Sequence, residues 1–304
     1  MYEKYDVIIG FGEPLINSYK SNCVCERIYY GTGMHVCHQN HATLKRAKDV
    51  YKKRKVWLLN STRLVEKTWS VQTTLVDAMI MFGNETVVES YAKYFDKPIY
   101  NIPLSCYEMM SIEDNEQLLH AKDYEQAKRK FIFMSSAGMV HRSLDLLLEI
   151  FSENPQWELH ICAPIDKEPE FKKIYYDELY NTPNIHTHGF VQLNSNLFID
   201  LIKKSSFCVF PSCSEGVAGS VINLMAHGII PIVTDEASIN PYGFVINIKS
   251  ISKQKILNSL NHASAISNEK ILAMSLACLK HTRANHSIDA YKQGLSKALK
   301  AILG

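Results

Sequence analysis

The stretch Phe207-Cys-Val-Phe-Pro-Ser-Cys-Ser-Glu215-Gly-Val-Ala-Gly219-Ser-Val-Ile-Asn223-Leu-Met-Ala-His-Gly228-Ile-Ile-Pro-Ile-Val-Thr234 constrains the fold more than any other part of the chain. Residues 207–210 read as a buried strand, and a polar loop with one carboxylate and two glycines follows. Residues 220–227 read as a helix that Gly228 stops, and 229–233 return as a second apolar strand. Strand, loop, helix and strand in that order form the repeating unit of an open parallel sheet. Ligands of such sheets sit where strand ends meet helix N-termini, and the free N–H groups and helix dipole there favour an anion.

The same alternation runs along the whole chain and predicts an α/β fold of two Rossmann-like domains. Strands are expected over 7–10, 79–82 and 98–102, with a helix over 85–94. A polar, charged connector covers 111–130. Beyond it come strand 131–134, helix 143–151, strand 157–162, helix 171–180, strand 184–186 and helix 195–204. Three late helices follow over 253–264, 268–285 and 287–303. These elements give an N-terminal domain over 1–103, a C-terminal domain over 104–285, and a last helix over 286–304 free to pack on the N-terminal domain. Domains commonly run to roughly 100–150 residues, so the N-terminal one reads as short, or as lacking its first strands.

With 304 residues, 46% of them hydrophobic, the chain can fill one large core or two modest ones. A formal net charge of +2 gives no reason to expect nucleic acid as a partner. No secretory h-region precedes the fold, and no apolar run approaches the roughly 18 residues of a spanning helix, so a soluble, cytoplasmic protein is expected. The eight cysteines are scattered, with Cys162, Cys208 and Cys278 inside apolar segments, as reduced core thiols would be. Cys23, Cys25, Cys37 and His38 form one cluster, but the one-residue Cys spacing is tighter than structural zinc takes. No metal or cofactor is expected.

Two loops carry the candidate chemistry. Glu215 beside an anion site makes sense if it accepts hydrogen bonds from something neutral attached to the anion, such as sugar hydroxyls; the combination points to a nucleotide-sugar. The second loop is Phe131-Ile-Phe-Met-Ser135-Ser136-Ala-Gly138-Met-Val-His141-Arg142-Ser143, again strand, small polar loop and helix. Gly138 lets backbone approach a ligand, and Arg142 stands where a guanidinium grips a diphosphate with two parallel hydrogen bonds. Alone, Arg142 reads as a solvated surface residue and Ser143 as an N-cap; beside the Glu215 loop on the same sheet, the ligand role is favoured.

The order Ser-Ser-x-Gly-x-Val-His-Arg-x-Leu-Asp-Leu-Leu-Leu-Glu-x-Phe, His188-Gly-Phe-Val, Val-Phe-Pro-Ser-x-Ser-Glu-Gly and Ala-His-Gly before Ile-Pro-Ile-Val resembles the donor domain of the group 1 (family 4) glycosyltransferases, which have the GT-B fold. The resemblance covers about residues 104–285. Tyr30-Gly31-Thr32-Gly33-Met-His35 to Gln39-Asn40, with Ala78-Met-Ile-Met-Phe-Gly83-Asn84, resembles the N-terminal domain of bacterial surface-polysaccharide members, the lipopolysaccharide and capsule enzymes. It implies a retaining, metal-independent transferase that passes a sugar from a nucleotide-sugar to a glycan or lipid-linked acceptor, the diphosphate deprotonating the acceptor on the same face. By the same resemblance, Glu215 accepts the donor sugar's hydroxyls. Gly216, Val217, Ala218, Gly219 and Ser220 hold sugar and diphosphate, with Ser136, Gly138 and His141 opposite. Arg142 neutralises the leaving group, and Phe190 and Val191 face the base. No Asp-x-Asp pair for a metal is present.

Two departures stand out. The family places a second Glu eight positions after the first, on the ribose; here that position is Asn223, and an amide binds a ribose without charge assistance. Gly10-Phe-Gly12-Glu13 is a poor substitute for the family's glycine-rich acceptor loop. Both motivate an alternative reading, a weak or inactive homologue serving as a partner subunit. Among His35, His38 and His41, His35 fits best the family's cleft-facing catalytic histidine. Residues 44–57 carry seven basic side chains against Asp49 and read as a basic amphipathic helix able to rest on an anionic membrane, placing the protein at its inner face.

Overall fold

The computed structural model describes residues 2–21, 23–65 and 68–304. Two fully parallel sheets form its frame. The first contains β1 (Val7–Gly10), β2 (Glu26–Gly31), β3 (Ala78–Phe82) and β4 (Ile99–Ile102), hydrogen-bonded in that order. The second contains β5 (Lys130–Met134), β6 (Glu158–Cys162), β7 (Ile185–Thr187), β8 (Phe207–Phe210), β9 (Ile230–Val233) and β10 (Ile246–Asn247), in the order β10-β9-β8-β5-β6-β7. The runs Ala-Met-Ile-Met-Phe, Phe-Cys-Val-Phe and Ile-Pro-Ile-Val are buried at every position, as central parallel strands covered on both faces must be. From β5 the chain winds outward through β6 and β7, then returns to β8 on the other side of β5. That reversal opens a crevice at the carboxyl ends of β5 and β8, the place where a doubly wound sheet takes its ligand.

The second domain has one continuous core, in which Phe131 stacks on Phe207 at 5.6 Å and Phe133 on Phe210 at 6.0 Å between ring centroids. The first sheet has a core on each face. Leu15, Met79, Met81 and Tyr91 fill one. The helix Ile288–Leu303 closes the other, laying Tyr291, Leu295, Ala298, Leu299 and Ile302 against Ile28, Ile80, Phe82 and Ile102. Gly294 permits that approach, since a Cβ there would stand 2.9 Å from Pro103 Cδ. The two chain crossings between domains run side by side: Cys106 N–H donates to the His286 carbonyl at 2.6 Å, and His286 Nδ1 donates to the Leu104 carbonyl at 2.8 Å.

Several expectations need correction. The charged connector folds into helices Ile112–His120 and Tyr124–Ala127, because Asn115, Leu119, Tyr124 and Ala127 are buried beneath its charges. The helix expected over 171–180 is two pieces, Pro169–Ile174 and Tyr176–Tyr180, broken at Tyr175. Strands β2 and β10 and the helices Gly12–Tyr19 and Thr68–Leu75 had no counterpart in the sequence reading. The basic segment lies in the helix Val36–Arg54, ended by Lys55 in the left-handed region at φ 59°. Cys23 and Cys25 are free thiols with sulfurs 3.1 Å apart, Cys37 is exposed, and among the described residues no three His, Cys, Asp or Glu side chains gather to hold a metal ion.

Candidate active site

Loop 135–143 leaves β5 at the crevice and is shaped by two left-handed residues, Gly138 at φ 77° and Ser143 at φ 57°. Its turn is held by a residue that sequence reading missed. The buried Glu168 carboxylate accepts the Gly138 N–H at 2.5 Å and the Met139 N–H at 3.1 Å, so the Gly138 amide is engaged within the protein. Ser136 is exposed at the loop tip, while Ser135 is buried and accepts from Arg142 Nη1 at 3.0 Å. Arg142 is itself buried and also donates to the Ala137 carbonyl. His141 has no exposed surface; its Nε2 meets the Ser214 carbonyl at 2.6 Å, and burial pushes its pKa down to about 4 against the pull of Glu215. It therefore secures the Glu215 loop as a neutral ring and presents no surface to a donor, contrary to its expected place in the donor pocket.

Glu215 is the centre of the arrangement. Arg142 Nε donates to its Oε1 at 2.8 Å, Ser212 Oγ to the same oxygen at 3.0 Å, and Arg63 Nη1 to Oε2 at 2.9 Å. Burial alone would raise this carboxyl, but Arg142 and Arg63 outweigh it and hold the pKa below the usual carboxylate range. Two guanidiniums thus converge on this one carboxylate. Arg63 comes from the first domain, 152 residues away in sequence, on a loop with no motif to announce it.

The two domains touch through glycine. A Cβ at Gly216 would overlap the Thr32 carbonyl and stand 2.8 Å from the Gly33 nitrogen, and one at Gly83 would come within 2.5 Å of the Gly216 carbonyl oxygen. A cavity of about 210 Å³ opens beside this contact. Glu215 and Gly216 form its floor, and Arg63, Gln39, Thr32, Tyr29 and Trp69 are among its walls.

The remaining expected residues are spread around this centre. Val217 lines a narrower interdomain cavity with Gly83 and Leu104. The Ala218 N–H donates to the Ala237 carbonyl at 3.1 Å, and its side chain does not cap the helix Gly219–Met225. Gly219 faces Leu104, and Ser220 Oγ ties the helix to the end of β5 through the Met134 carbonyl at 2.7 Å. Asn223 Oδ1 accepts the Tyr107 N–H at 2.8 Å, which gives the amide at this position a structural partner on the interdomain connection. Phe190 is 67% exposed, and with Val191, Tyr107 and Leu193 it lines an open cavity of about 330 Å³.

His35, expected in catalysis, is not in the cleft. Its ring is wholly buried, stacked on Tyr94 at 4.0 Å, with Nδ1 accepting the Cys37 N–H at 3.2 Å as the N-cap of Val36–Arg54. Burial, with His38 nearby, lowers its pKa to about 4. The glycines before it place it on the helix start, and the helix start is packed into the first domain. Three of the seven basic side chains of residues 44–57 are paired with the second domain. Arg46 binds Asp145 at 2.6 and 2.8 Å, Lys53 binds Glu149 at 2.9 Å, and Arg54 binds Glu178 at 2.6 Å, all on the second domain. Lys45, Lys48, Lys52 and Lys55 remain exposed beside Tyr51 and Trp57, whose rings stack at 4.3 Å.

The arrangement of two parallel sheets facing a crevice matches a known architecture. The chain is similar to the solved structure of sucrose-phosphate synthase from Thermosynechococcus elongatus, at 12% identity and TM-score 0.71 over 99% of this chain and 74% of that one. It is also similar to TarM, at 13% identity and TM-score 0.62 over 98% of this chain and 55% of that one. A third similar structure is the trehalose 6-phosphate synthase of Burkholderia multivorans, at 10% and 0.63 over 98% and 72%. The fold is that of a GT-B glycosyltransferase. Residues 128–250, which carry both loops, match the family model described as glycosyl transferases group 1. No curated protein matches the chain. Among the described residues no helix of this GT-B fold is long and apolar enough to cross a membrane.

Proposed function

We propose that this protein is a nucleotide-sugar-dependent glycosyltransferase that acts with retention and without a metal, on a glycan or lipid-linked glycan acceptor in surface-polysaccharide synthesis. The observation that carries the reading is Glu215, ionised between Arg142 and Arg63 at the switch point of the sheet and floored against the interdomain cavity. Glu215 accepts hydrogen bonds from the donor sugar's hydroxyls. Arg142, locked on Ser135 and Glu215, keeps that carboxylate charged and in place and adds fixed positive charge beside the diphosphate. The acceptor hydroxyl enters from the cavity walled by the first domain. Its oxygen bonds the anomeric carbon as the bond to the diphosphate breaks, and its proton passes to a diphosphate oxygen on the same face. Arginine charge fills the part that a cation would otherwise play at the leaving group.

Substituting Glu215→Gln tests the role of the acid. It should leave nucleoside diphosphate binding intact while transfer from the sugar conjugate falls by about 10²–10³, the usual loss when one stabilising contact is removed. Thermal unfolding with UDP, GDP and dTDP reads the binding, since a ligand at 100 times its Kd adds about 2.7 kcal/mol to the wild type. An equal loss of binding and transfer would move Glu215 from the sugar to the nucleotide. Wild-type protein that is stabilised by no nucleotide and hydrolyses no donor would favour the inactive partner subunit instead.

The exposed lysines of Val36–Arg54 favour one further reading for a lipid-linked acceptor. Lys45, Lys48 and Lys52, with Lys55 and the Tyr51–Trp57 pair, form a basic aromatic face turned away from the second domain. At about 1 kcal/mol per basic side chain near an anionic surface, this face should pellet the protein with phosphatidylserine vesicles at low salt and release it at high salt. Pelleting that ignores salt, or none at all, removes the bilayer from the reading.

A further inference from the structure

The two guanidiniums of the site are not equivalent. Arg142 is committed: Nε and Nη2 lie 2.8 and 3.4 Å from the Glu215 carboxylate, Nη1 binds Ser135 and the Ala137 carbonyl, and the side chain is buried. Arg63 gives Glu215 one N–H, from Nη1, and its guanidinium meets no other protein acceptor among the described residues. Its side chain is 40% exposed.

The main chain of Arg63 is fixed from the first domain, and that of Ser61 just before it from the second. Gln39 Nε2 donates to the Arg63 carbonyl at 2.7 Å, and the Arg63 N–H donates to Thr43 Oγ1 at 3.3 Å. Two residues earlier, the Ser61 carbonyl accepts the N–H groups of Val140 and His141, from the loop that follows β5, at 3.1 and 3.2 Å. The side chain then lies along Gly138, where a Cβ would come within 2.7 Å of Arg63 Cγ. Gly138 thus keeps open the path by which a first-domain cation reaches the donor loops. A fixed base, spare donors and a lining place in the cavity are what a mobile anion ligand requires.

We infer that Arg63 is a diphosphate ligand that the first domain supplies across the cleft. The inference rests on the glycosyltransferase reading above. In the ion pair seen here the guanidinium neutralises Glu215. In the donor complex the sugar hydroxyls take its place on Oε2, and it turns to the diphosphate, whose larger negative charge draws it more strongly than a single carboxylate. As the glycosidic bond breaks and its electron pair settles on the leaving oxygen, Arg63 and Arg142 share the charge. Closure of the first domain onto the second thereby becomes a condition for leaving-group departure.

Equilibrium binding separates this from a merely structural contact. UDP, GDP, ADP and dTDP, each beside its monophosphate, would be titrated into wild type, Arg63→Ala, Arg63→Gln and Arg63→Lys, with melting curves to establish folding. Arg63→Ala and Arg63→Gln should weaken the diphosphate that the wild type binds by about ten- to a hundredfold, the span of a lost charge-assisted contact, and leave its monophosphate near the wild-type value. Arg63→Lys should recover part of the loss. Turnover of the sugar conjugate should fall by about 10²–10³ in Arg63→Ala. Equal weakening of both nucleotides, or a diphosphate that binds the alanine variant as well as or better than the wild type, would make Arg63 only a clasp on Glu215. Wild-type protein that binds no diphosphate would remove the glycosyltransferase reading, and this inference with it.

Discussion

Arg142→Ala is expected to leave about one hundredth or less of the wild-type transfer rate, the loss that follows removal of one preorganised donor at a developing charge. The geometry adds a second consequence. Without Arg142, Glu215 stays buried with Arg63 and Ser212 as its remaining hydrogen-bond partners among the described residues. Burial is the largest influence on that carboxyl and acts upward, and Arg142 is the largest influence opposing it. The variant's carboxyl should therefore titrate at higher pH, and the acid limb of kcat against pH should move up with it. In the wild type the depressed pKa contributes stability that is present above the unfolded carboxylate's pKa and lost as pH falls through the folded one. That contribution should shrink in Arg142→Ala, so its urea midpoint should vary less over the acid range. A variant with wild-type turnover would show that Arg142 only scaffolds the loop.

The sequence announced most of the second domain because most of its elements are local patterns, the two-residue strand β10 and the break at Tyr175 excepted. Apolar runs at 207–210 and 229–233 fall within a residue of β8 and β9, and the helices Lys253–Ser264 and Asn268–Asn285 begin at Ser252 and Ser267, each of which accepts an N–H of the first turn. Glu215 and Arg142 were legible for the same reason: each follows a strand in a short loop. The first domain was harder. Strand β2 is Glu-Arg-Ile-Tyr-Tyr-Gly, with two charges at its start and only partial burial, so it offers no clean period. The residues the sequence hid are those whose meaning is a long-range contact. Arg63 meets Glu215, and Glu168 meets the amides of Gly138 and Met139 across 30 and 29 residues. His35 misled for the opposite reason: a histidine after Gly-Thr-Gly looks like a cleft loop, yet the turn feeds it into a helix N-terminus beneath Tyr94.

The largest stability effect should come from Arg46→Ala, at about 3–5 kcal/mol, the cost of leaving a buried charge without its partner. Asp145 is 2% exposed, and Arg46 is its only basic partner within hydrogen-bond distance among the described residues. Burial pushes the Asp145 carboxyl up even against that guanidinium, and the pair fixes how the helix Val36–Arg54 sits on the helix Leu144–Glu153. A paired apolar replacement, Arg46→Met with Asp145→Leu, should accordingly recover most of the loss in a urea titration, since neither charge is then stranded. Activity should not recover in step. Gln39, Asn40 and Thr43, on the same helix as Arg46, hold the loop that carries Arg63, with Asn40 binding Val65 at 2.8 Å in both directions. Any small rotation of that helix moves the Arg63 guanidinium relative to Glu215, and a displacement of about 1 Å at a positioned group can cost on the order of 100-fold in rate. Stability restored with transfer still depressed would assign the pair to domain orientation. Full recovery of both would reduce it to an ordinary buried contact.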